Sequence, residues 1–283
     1  MEYLGENKPV NLIQPLVSIC VPTFQHESYI AQCLQSLLEQ QATFPIEILI
    51  GEDASTDKTR EICLGFAEKH PDKIRLFLRK EEEKAIMYGR KAGRYNHLGL
   101  YRSARGKYVC ICDGDDYWTD PLKIQMQVDF MEQNPDCVLC LTDTEIGLHP
   151  EQKPPGIPEG LRIFESKELR KVFYMGHISS WMLRNCMEEL LSNPIVKKPI
   201  PLDQVLFSFY KKKGKVAYLP KSTSFYRFNP DGIYLSQSRK KNHKAVYRNS
   251  WFLFRYIHHD PLLFFRAIVY GARRYFSNFV FNR

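Results

Sequence analysis

The sequence predicts an α/β fold: a single, mostly parallel sheet with helices on both faces, followed by a helical extension at the C-terminus. Three observations carry that expectation. Short apolar runs alternate with stretches whose apolar residues recur at helical spacing across residues 16–134. The runs are apolar at nearly every position, as in strands covered on both faces. The 283-residue chain is 44% apolar and 25% charged, which suits one large buried core and excludes a disordered or fibrous chain.

The elements follow in order. Residues 16–21 (LVSICV) form the first strand, ended by Pro22. Between residues 28 and 41, Ile30, Leu34, Leu37 and Leu38 make one helical stripe. Residues 46–50 are the second strand. Ser55 or Thr56 then caps a helix with the stripe Ile62, Cys63, Phe66 and Ala67, which stops before Pro71. Residues 74–78 form the third strand, the charged stretch 79–93 reads as a loop, 95–104 as a short helix and 108–112 as the fourth strand. That strand runs into Asp113-Gly114-Asp115-Asp116, after which Asp120-Pro121 opens a helix through Asn134. The pattern then weakens. Four prolines from Pro150 to Pro158 mark a loop, residues 179–183 and 215–219 read as strands, and 202–213 as a helix between them.

The net charge of +8 is concentrated at one end: ten basic residues and one acid, Asp260, lie between Arg239 and Arg283. The body is close to neutral, which argues against nucleic acid as its partner, while a basic tail suits an anionic surface. No basic, then apolar leader opens the chain, and no run reaches the roughly 18 apolar residues that span a bilayer. Eight cysteines without regular spacing read as reduced thiols, so the expected location is cytoplasmic and, through the tail, peripheral to a membrane. Cys110 and Cys112 share a strand face. Cys137 and Cys140 form a C-x-x-C with no second pair and read as buried hydrophobes.

In an open parallel sheet, ligands bind beyond the carboxyl ends of the strands. Those ends are acidic here: Glu52-Asp53 after the second strand, and Asp113, Asp115 and Asp116 after the fourth. No glycine cradle follows the first strand, which continues Pro22-Thr23-Phe24, so a phosphate must be held by other means. Three carboxylates within four residues repel one another unless a cation neutralises them. A few hard oxygen ligands suit Mg²⁺ or Mn²⁺ shared with a diphosphate. The competing reading is a solvated acidic turn capping the next helix; its place at a buried strand end, one strand from Asp53, favours the metal.

From Pro15 to about Ser236 the chain resembles the family-2 glycosyltransferases of the GT-A, Rossmann-like fold. The matching features are Pro22-Thr23-Phe24, the turn Glu52-Asp53-Ala54-Ser55-Thr56-Asp57, similar to D-D-x-S-x-D, and Asp113-Gly114-Asp115-Asp116, similar to D-x-D-D. The resemblance implies a catalytic region at 1–238, with a nucleotide-binding half at about 15–145 and an acceptor half at about 146–238, and a basic aromatic tail at 239–283. It implies a nucleoside-diphosphate sugar as donor, a UDP-sugar favoured, a hydroxyl acceptor, Mn²⁺ or Mg²⁺ as cofactor, inversion at the anomeric carbon, and a place in bacterial surface polysaccharide or lipid-linked glycan synthesis.

Carried over residue by residue, it makes Asp53 the acid that hydrogen-bonds the base, Pro22 and Phe24 its walls, and Arg94 a basic residue near the nucleotide. Asp115 and Asp116 become the metal and ribose contacts, which of them takes the ion being open, with Asp113 beside them in the nucleotide-sugar site or serving structure. Asp203, at the start of a helix, becomes the catalytic base; its alternative is a helix N-terminal charge. Asp53 could likewise simply cap a helix with Ser55. Phe225-Tyr226-Arg227-Phe228-Asn229 through Gly232 and Ser236 resembles Y-R-x-H-x-x-G-x-x-S, with Asn229 in place of the histidine. Arg227 is therefore the expected phosphate contact. His177-Ile178-Ser179-Ser180-Trp181 either lines the sugar or acceptor pocket or only packs. In the tail, aromatics from Trp251 to Phe281 interleaved with arginines suit an anionic leaflet and a lipid-borne acceptor; the alternative is a helical hairpin packed on the body. A nucleotidyltransferase would want a glycine-rich loop after the first strand. A non-catalytic nucleotide-binding protein would bind without turnover.

Overall fold

The computed structural model describes residues 2–3, 8–87, 89–147, 157–172, 174–227, 239–261, 264–265 and 269. In chain order its first elements are β1 (Glu2–Tyr3), α1 (Pro9–Leu12), β2 (Val17–Thr23), α2 (Ile30–Leu38), β3 (Ile46–Glu52), α3 (Thr59–Lys69) and β4 (Ile74–Leu78). There follow β5 (Ala85–Met87), β6 (Arg90–Ala92), α4 (Arg94–Ser103), β7 (Tyr108–Ile111), β8 (Tyr117–Trp118), α5 (Lys123–Gln133) and β9 (Cys137–Ile146). The second half adds β10 (Arg162–Phe164), β11 (Met182–Arg184), α6 (Met187–Ser192), α7 (Leu202–Lys213), β12 (Lys215–Tyr226) and α8 (Arg239–Leu253).

One sheet runs through the molecule in the order β1-β4-β3-β2-β7-β11-β9-β12-β10, with β8 paired to β12. β4, β3, β2 and β7 are mutually parallel, as are β9 and β12, and β11 lies antiparallel between these two groups. All seven residues of both β2 and β3 are buried, as their continuous apolar runs require. Successive side chains alternate between two cores. Val17, Ile19 and Val21 face the core under α2, α3 and α5, while Cys20 faces the core under α4, α6 and α7. The chain leaves β2 for β3 and β4, then returns to the other side of β2 as β7. The carboxyl ends of β2 and β7 therefore meet at the switch point, where such sheets bind ligands.

Several sequence expectations shift. The helix after β3 begins at Thr59, whose N–H donates to Asp57 Oδ1 at 3.0 Å; Ser55 and Thr56 do not cap it, because both hydroxyls accept from Gln25. The stretch 79–93 carries structure of its own, a 3-10 turn at Glu81–Glu83 and the hairpin β5–β6, turning at Gly89 with φ 77°. Residues 179–183 are not one strand: Ile178–Ser180 form a buried 3-10 turn and only Met182–Arg184 pair in the sheet. β12 is 12 residues long, and β9, with 10, gives it a parallel neighbour that the sequence reading lacked.

The described part of the tail packs on the body. Leu253 and Ile257 belong to the same core as α7, Asn193 Nδ2 donates to Tyr256 O at 3.0 Å, Lys212 Nζ to Ile257 O at 2.6 Å, and Arg170 pairs with Asp260. Trp251, Phe265 and Val269 are exposed. The expectations for Phe228, Asn229, Gly232 and Ser236, for Arg266, and for the tail aromatics and arginines from Tyr270 on lie outside the described residues. Among the described residues no helix is long and apolar enough to cross a membrane.

Candidate active site

Three strand ends build one acidic rim. Thr23 O at the end of β2 accepts from Asp53 N at 3.0 Å, and Pro22 O accepts from Gly114 N at 3.0 Å, so the turns after β3 and β7 are both tied to β2. Gln25 and Ala54 hold left-handed backbone, each at φ 57°, right after these strand ends, a strained conformation for residues with a Cβ. Gly114 is the residue the turn demands: a Cβ there would lie 2.5 Å from Thr23 Oγ1 and 2.8 Å from His26 Nδ1.

Asp53 is buried, and burial raises its carboxyl above the ordinary range against the pull of Lys84. It lines a depression of about 470 Å³ with Arg79, Glu82, Glu83, Lys84, Tyr95 and Asn96. Phe24, half open to solvent, carries the Lys84 ammonium 3.6 Å above its ring, and Lys84 in turn pairs with Glu81 at 2.7 Å. Pro22, Phe24 and Asp53 thus flank one end of the rim. Arg94 lies beside it on α4 but is buried, donating Nη2 to the carbonyls of Lys198 at 3.0 Å and of Ile200. These bonds tie α4 to the segment leading into α7, and the Arg94 charge is felt at Asp203.

The four-residue turn holds three carboxylates in three different environments. Asp116 is 1% exposed and already occupied: Oδ2 accepts from Ser179 Oγ at 2.6 Å and Oδ1 from Arg227 N at 3.0 Å. Burial, then Asp115, pushes its carboxyl up to about 7. Asp113 sits deep but opens into the cleft, and burial with repulsion from Asp116, Asp115 and Asp203 pushes it well above the usual carboxylate range. Asp115 is partly open, its side chain 22% exposed against 37% for Asp113; among the described residues its carboxylate accepts no hydrogen bond, and His26 Nε2 approaches it at 3.7 Å. Each acid has a histidine at similar range, His97 Nε2 at 3.9 Å from Asp113 and His177 Nδ1 at 3.7 Å from Asp116. Burial lowers all three imidazoles, His177 to about 4, so they bring little positive charge.

Arg227 follows β12, which β8 joins to the acidic turn, and its Nε donates to Asp115 O at 2.9 Å while its guanidinium lies 4.8 Å over Tyr29. Asp203 sits at the first turn of α7, accepting from Gln204 N at 2.7 Å, and burial raises its carboxyl. It acts on Asp113 and, with it, on the Tyr101 and Tyr174 hydroxyls, so it faces the same cleft from the far side.

The sequence reading missed the support behind this turn. Trp118 Nε1 donates to Ser179 O at 2.9 Å, and the wholly buried Lys123 and Gln127 donate to Ser180 O at 3.3 and 2.9 Å. The 3-10 turn that holds Asp116 is thereby fixed from below. A lysine spaced four residues from a glutamine on the buried face of α5 was the available signal, because a buried lysine needs acceptors.

Among the described residues no group of three or more His, Cys, Asp or Glu closes around one point. Asp115 with His26 still fits an ion held by one or two protein ligands and completed by substrate phosphates.

The family model for glycosyl transferase family 2 matches residues 18–190. An uncharacterized protein of Mycobacterium tuberculosis is 28% identical over 224 residues, covering 78% of this chain and 61% of that one. The putative teichuronic acid biosynthesis glycosyltransferase TuaG of Bacillus subtilis is 31% identical over 129 residues, 46% of each chain. This chain therefore spans less than two thirds of the length of these relatives. Among solved structures, S. aureus TarS 1–349 in complex with UDP aligns at a TM-score of 0.64 with 18% identity, over 92% of this chain and 72% of that one. Mannosyltransferase PcManGT from Pyrobaculum calidifontis, in complex with GDP-Man and Mn²⁺, aligns at 0.62 with 17% identity, over 93% and 71%. These two establish the shared fold, and the family match covers more than half of the sequence: the chain belongs to glycosyl transferase family 2.

Proposed function

We propose that the protein transfers a sugar from a nucleoside-diphosphate donor, a UDP-sugar by preference, to a hydroxyl acceptor with inversion. The observation that carries this reading is the partly open pair Asp113 and Asp115 after β7, with the buried Asp53 and Phe24 after the neighbouring strands and the buried, basicity-raised Asp203 acting on Asp113. Asp53 takes the N–H edge of the base, which stacks on Phe24 beside Pro22. Asp113 accepts a ribose hydroxyl. Arg227, anchored by Asp115 O, presents its charge to the diphosphate. Arg94 acts through the backbone before Asp203 and holds the two halves in register.

Asp115 would hold a divalent ion, Mn²⁺ or Mg²⁺, with Asp116 shaping the turn through Ser179 and Arg227. When bound, that ion offsets the charge on the leaving diphosphate. Repulsion among Asp113, Asp115, Asp116 and Asp203 favours a cation there. Asp203 removes the acceptor hydroxyl proton; burial makes it a stronger base than a free carboxylate. TarS complexed with UDP and PcManGT with GDP-Man and Mn²⁺ support the donor class and the ion by analogy. The outward Trp251, Phe265 and Val269, on a segment rich in arginine and lysine, suit an anionic membrane bearing a lipid-linked acceptor of surface polysaccharide synthesis.

The test is a panel of nucleotide sugars incubated with Mn²⁺ or Mg²⁺. One donor is expected to hydrolyse slowly, and Asp203→Asn and Asp115→Ala to stop it. Nucleotide binding without any turnover in the presence of candidate acceptors would instead support the non-catalytic reading.

A further inference from the structure

We propose that His26 is the second protein ligand of the divalent ion, beside Asp115, and that it tilts the site toward Mn²⁺ over Mg²⁺. The inference rests on the metal reading above and adds a residue that neither acidic motif contains. His26 Nε2 and Asp115 Oδ2 lie 3.7 Å apart, with side chains 17% and 22% exposed. That is too long for a hydrogen bond. Two ligands each about 2.1 Å from one ion are about 3.0 Å apart at adjacent octahedral positions and about 4.2 Å at opposite ones, so a single ion can touch both atoms.

The rest of the imidazole is built in. Nδ1 sits 3.1 Å from Thr23 Oγ1, the backbone N–H donates to Thr59 Oγ1 at 2.7 Å, and the ring closes over Gly114, where a Cβ would come within 2.8 Å of Nδ1. A ligating histidine commonly engages its remote nitrogen in this way, which fixes the tautomer and turns the other lone pair to the ion. In the tautomer that donates Nδ1–H to Thr23 Oγ1, an Nε2 lone pair faces a carboxylate that accepts no hydrogen bond among the described residues. In that tautomer the two acceptors have no proton between them and make a place for a cation.

The other two histidines are placed differently. His177 Nδ1 accepts from Ser179 N at 3.3 Å, and its acid, Asp116, has both oxygens engaged. His97 faces Asp113, assigned above to the ribose. Mg²⁺ keeps to oxygen donors and gives up water reluctantly, whereas a mixed nitrogen and oxygen set favours a transition ion.

The test is Mn²⁺ added to the full chain, with and without inorganic pyrophosphate, followed by electron spin resonance and electron spin-echo modulation. Wild type is expected to show coupling to an imidazole nitrogen, which requires no variant. His26→Gln, with an unchanged melting temperature, should lose that coupling and about tenfold or more in Mn²⁺ affinity. Its Mg²⁺ affinity should fall less, His97→Gln should retain the coupling, and Asp115→Asn should lose the ion. No nitrogen coupling in wild type, or coupling lost in His97→Gln and kept in His26→Gln, overturns the role of His26 while the Asp115 reading stands. Equal Mn²⁺ binding by Asp115→Asn and wild type overturns the metal reading, and this inference with it.

Discussion

The same sheet carries buried acids at both of its ends; Glu47, Glu52 and Asp116 are answered within the chain, and at the carboxyl end alone others are not. At the amino end of β3, Glu47 is fully buried and saturated. Oε1 accepts from Ser18 Oγ at 2.6 Å and Arg105 N at 3.0 Å, and Oε2 from Arg75 at 3.2 Å and Arg105 at 2.6 and 2.9 Å. At the carboxyl ends of β3 and β7, Asp53 lies in a depression beside Lys84 and Arg79, Asp113 is repelled by Asp115 and by Asp203 at the start of α7, and burial lowers the imidazoles of His26 and His97. Glu47 serves the fold, since its charge is answered within the chain. The cleft acids are left to be answered by something that binds, and the asymmetry separates structure from site without reference to any relative.

Four outcomes would sharpen or break this contrast. The largest belongs to Asp203→Asn. A positioned base typically contributes about 10²- to 10⁴-fold, so kcat should fall by that factor while donor affinity holds. Near-normal turnover would return Asp203 to a helix-terminal charge. Next, Glu47→Ala should cost about 1–3 kcal/mol in denaturant unfolding, because Ser18, Arg75 and Arg105 lose their shared buried acceptor while Arg75 keeps Glu2 and Arg105 keeps the carbonyls of Val10 and Asn11, yet leave kcat of the folded fraction unchanged. A selective loss of kcat there would erase the distinction between the two ends.

A third, smaller effect is expected from Asp115→Asn. It should remove metal-dependent nucleotide binding and leave the melting temperature of the metal-free protein unchanged or slightly raised, since a repelling charge is gone. The fourth is a pH effect. The Asp116 carboxyl is raised to about 7 and Asp113 is raised with it, so between the ordinary carboxylate range and pH 7 the folded chain holds more protons than the unfolded one. On acidification of the metal-free protein from pH 8 to 6 these two carboxyls should therefore add stability, by at most about 1.4 kcal/mol per pH unit for each, while the lowered His26, His97 and His177 imidazoles subtract from it. The carboxyl share is read as the difference in melting temperature between wild type and Asp113→Asn, which should widen as the pH is raised from 6 to 8; a difference that does not change across that window would mean the repulsion is already relieved.

Much of the frame was legible because β2, β3, β4 and β7 are short apolar runs between amphipathic helices, and the acids stand immediately after them. α7 was read at its observed limits, Leu202–Lys213. β9 escaped because its second half, Thr142 to Glu145, is polar; Cys137 and Cys140 in its first half are buried, as expected, and of the eight cysteines Cys186 alone is partly exposed. The hairpin in 79–93 escaped because it is charged and only three residues wide on each side. Which acid is occupied within the chain could not be read at all. It depends on Ser179 and Arg227 reaching Asp116 from 63 and 111 residues away, contacts that sheet order alone decides. Arg94 was expected near the nucleotide; its hold on the carbonyls of Lys198 and Ile200 crosses more than 100 residues.

The most direct measurement is calorimetric titration of UDP, with a GDP comparison, into wild type, Asp115→Ala and Glu47→Gln, each with and without Mn²⁺. Binding by wild type is expected to depend on the ion, to survive in folded Glu47→Gln and to be lost in Asp115→Ala. Ion-independent binding of equal strength in all three would contradict the claim that the unanswered acids at the carboxyl end of the sheet are the donor site.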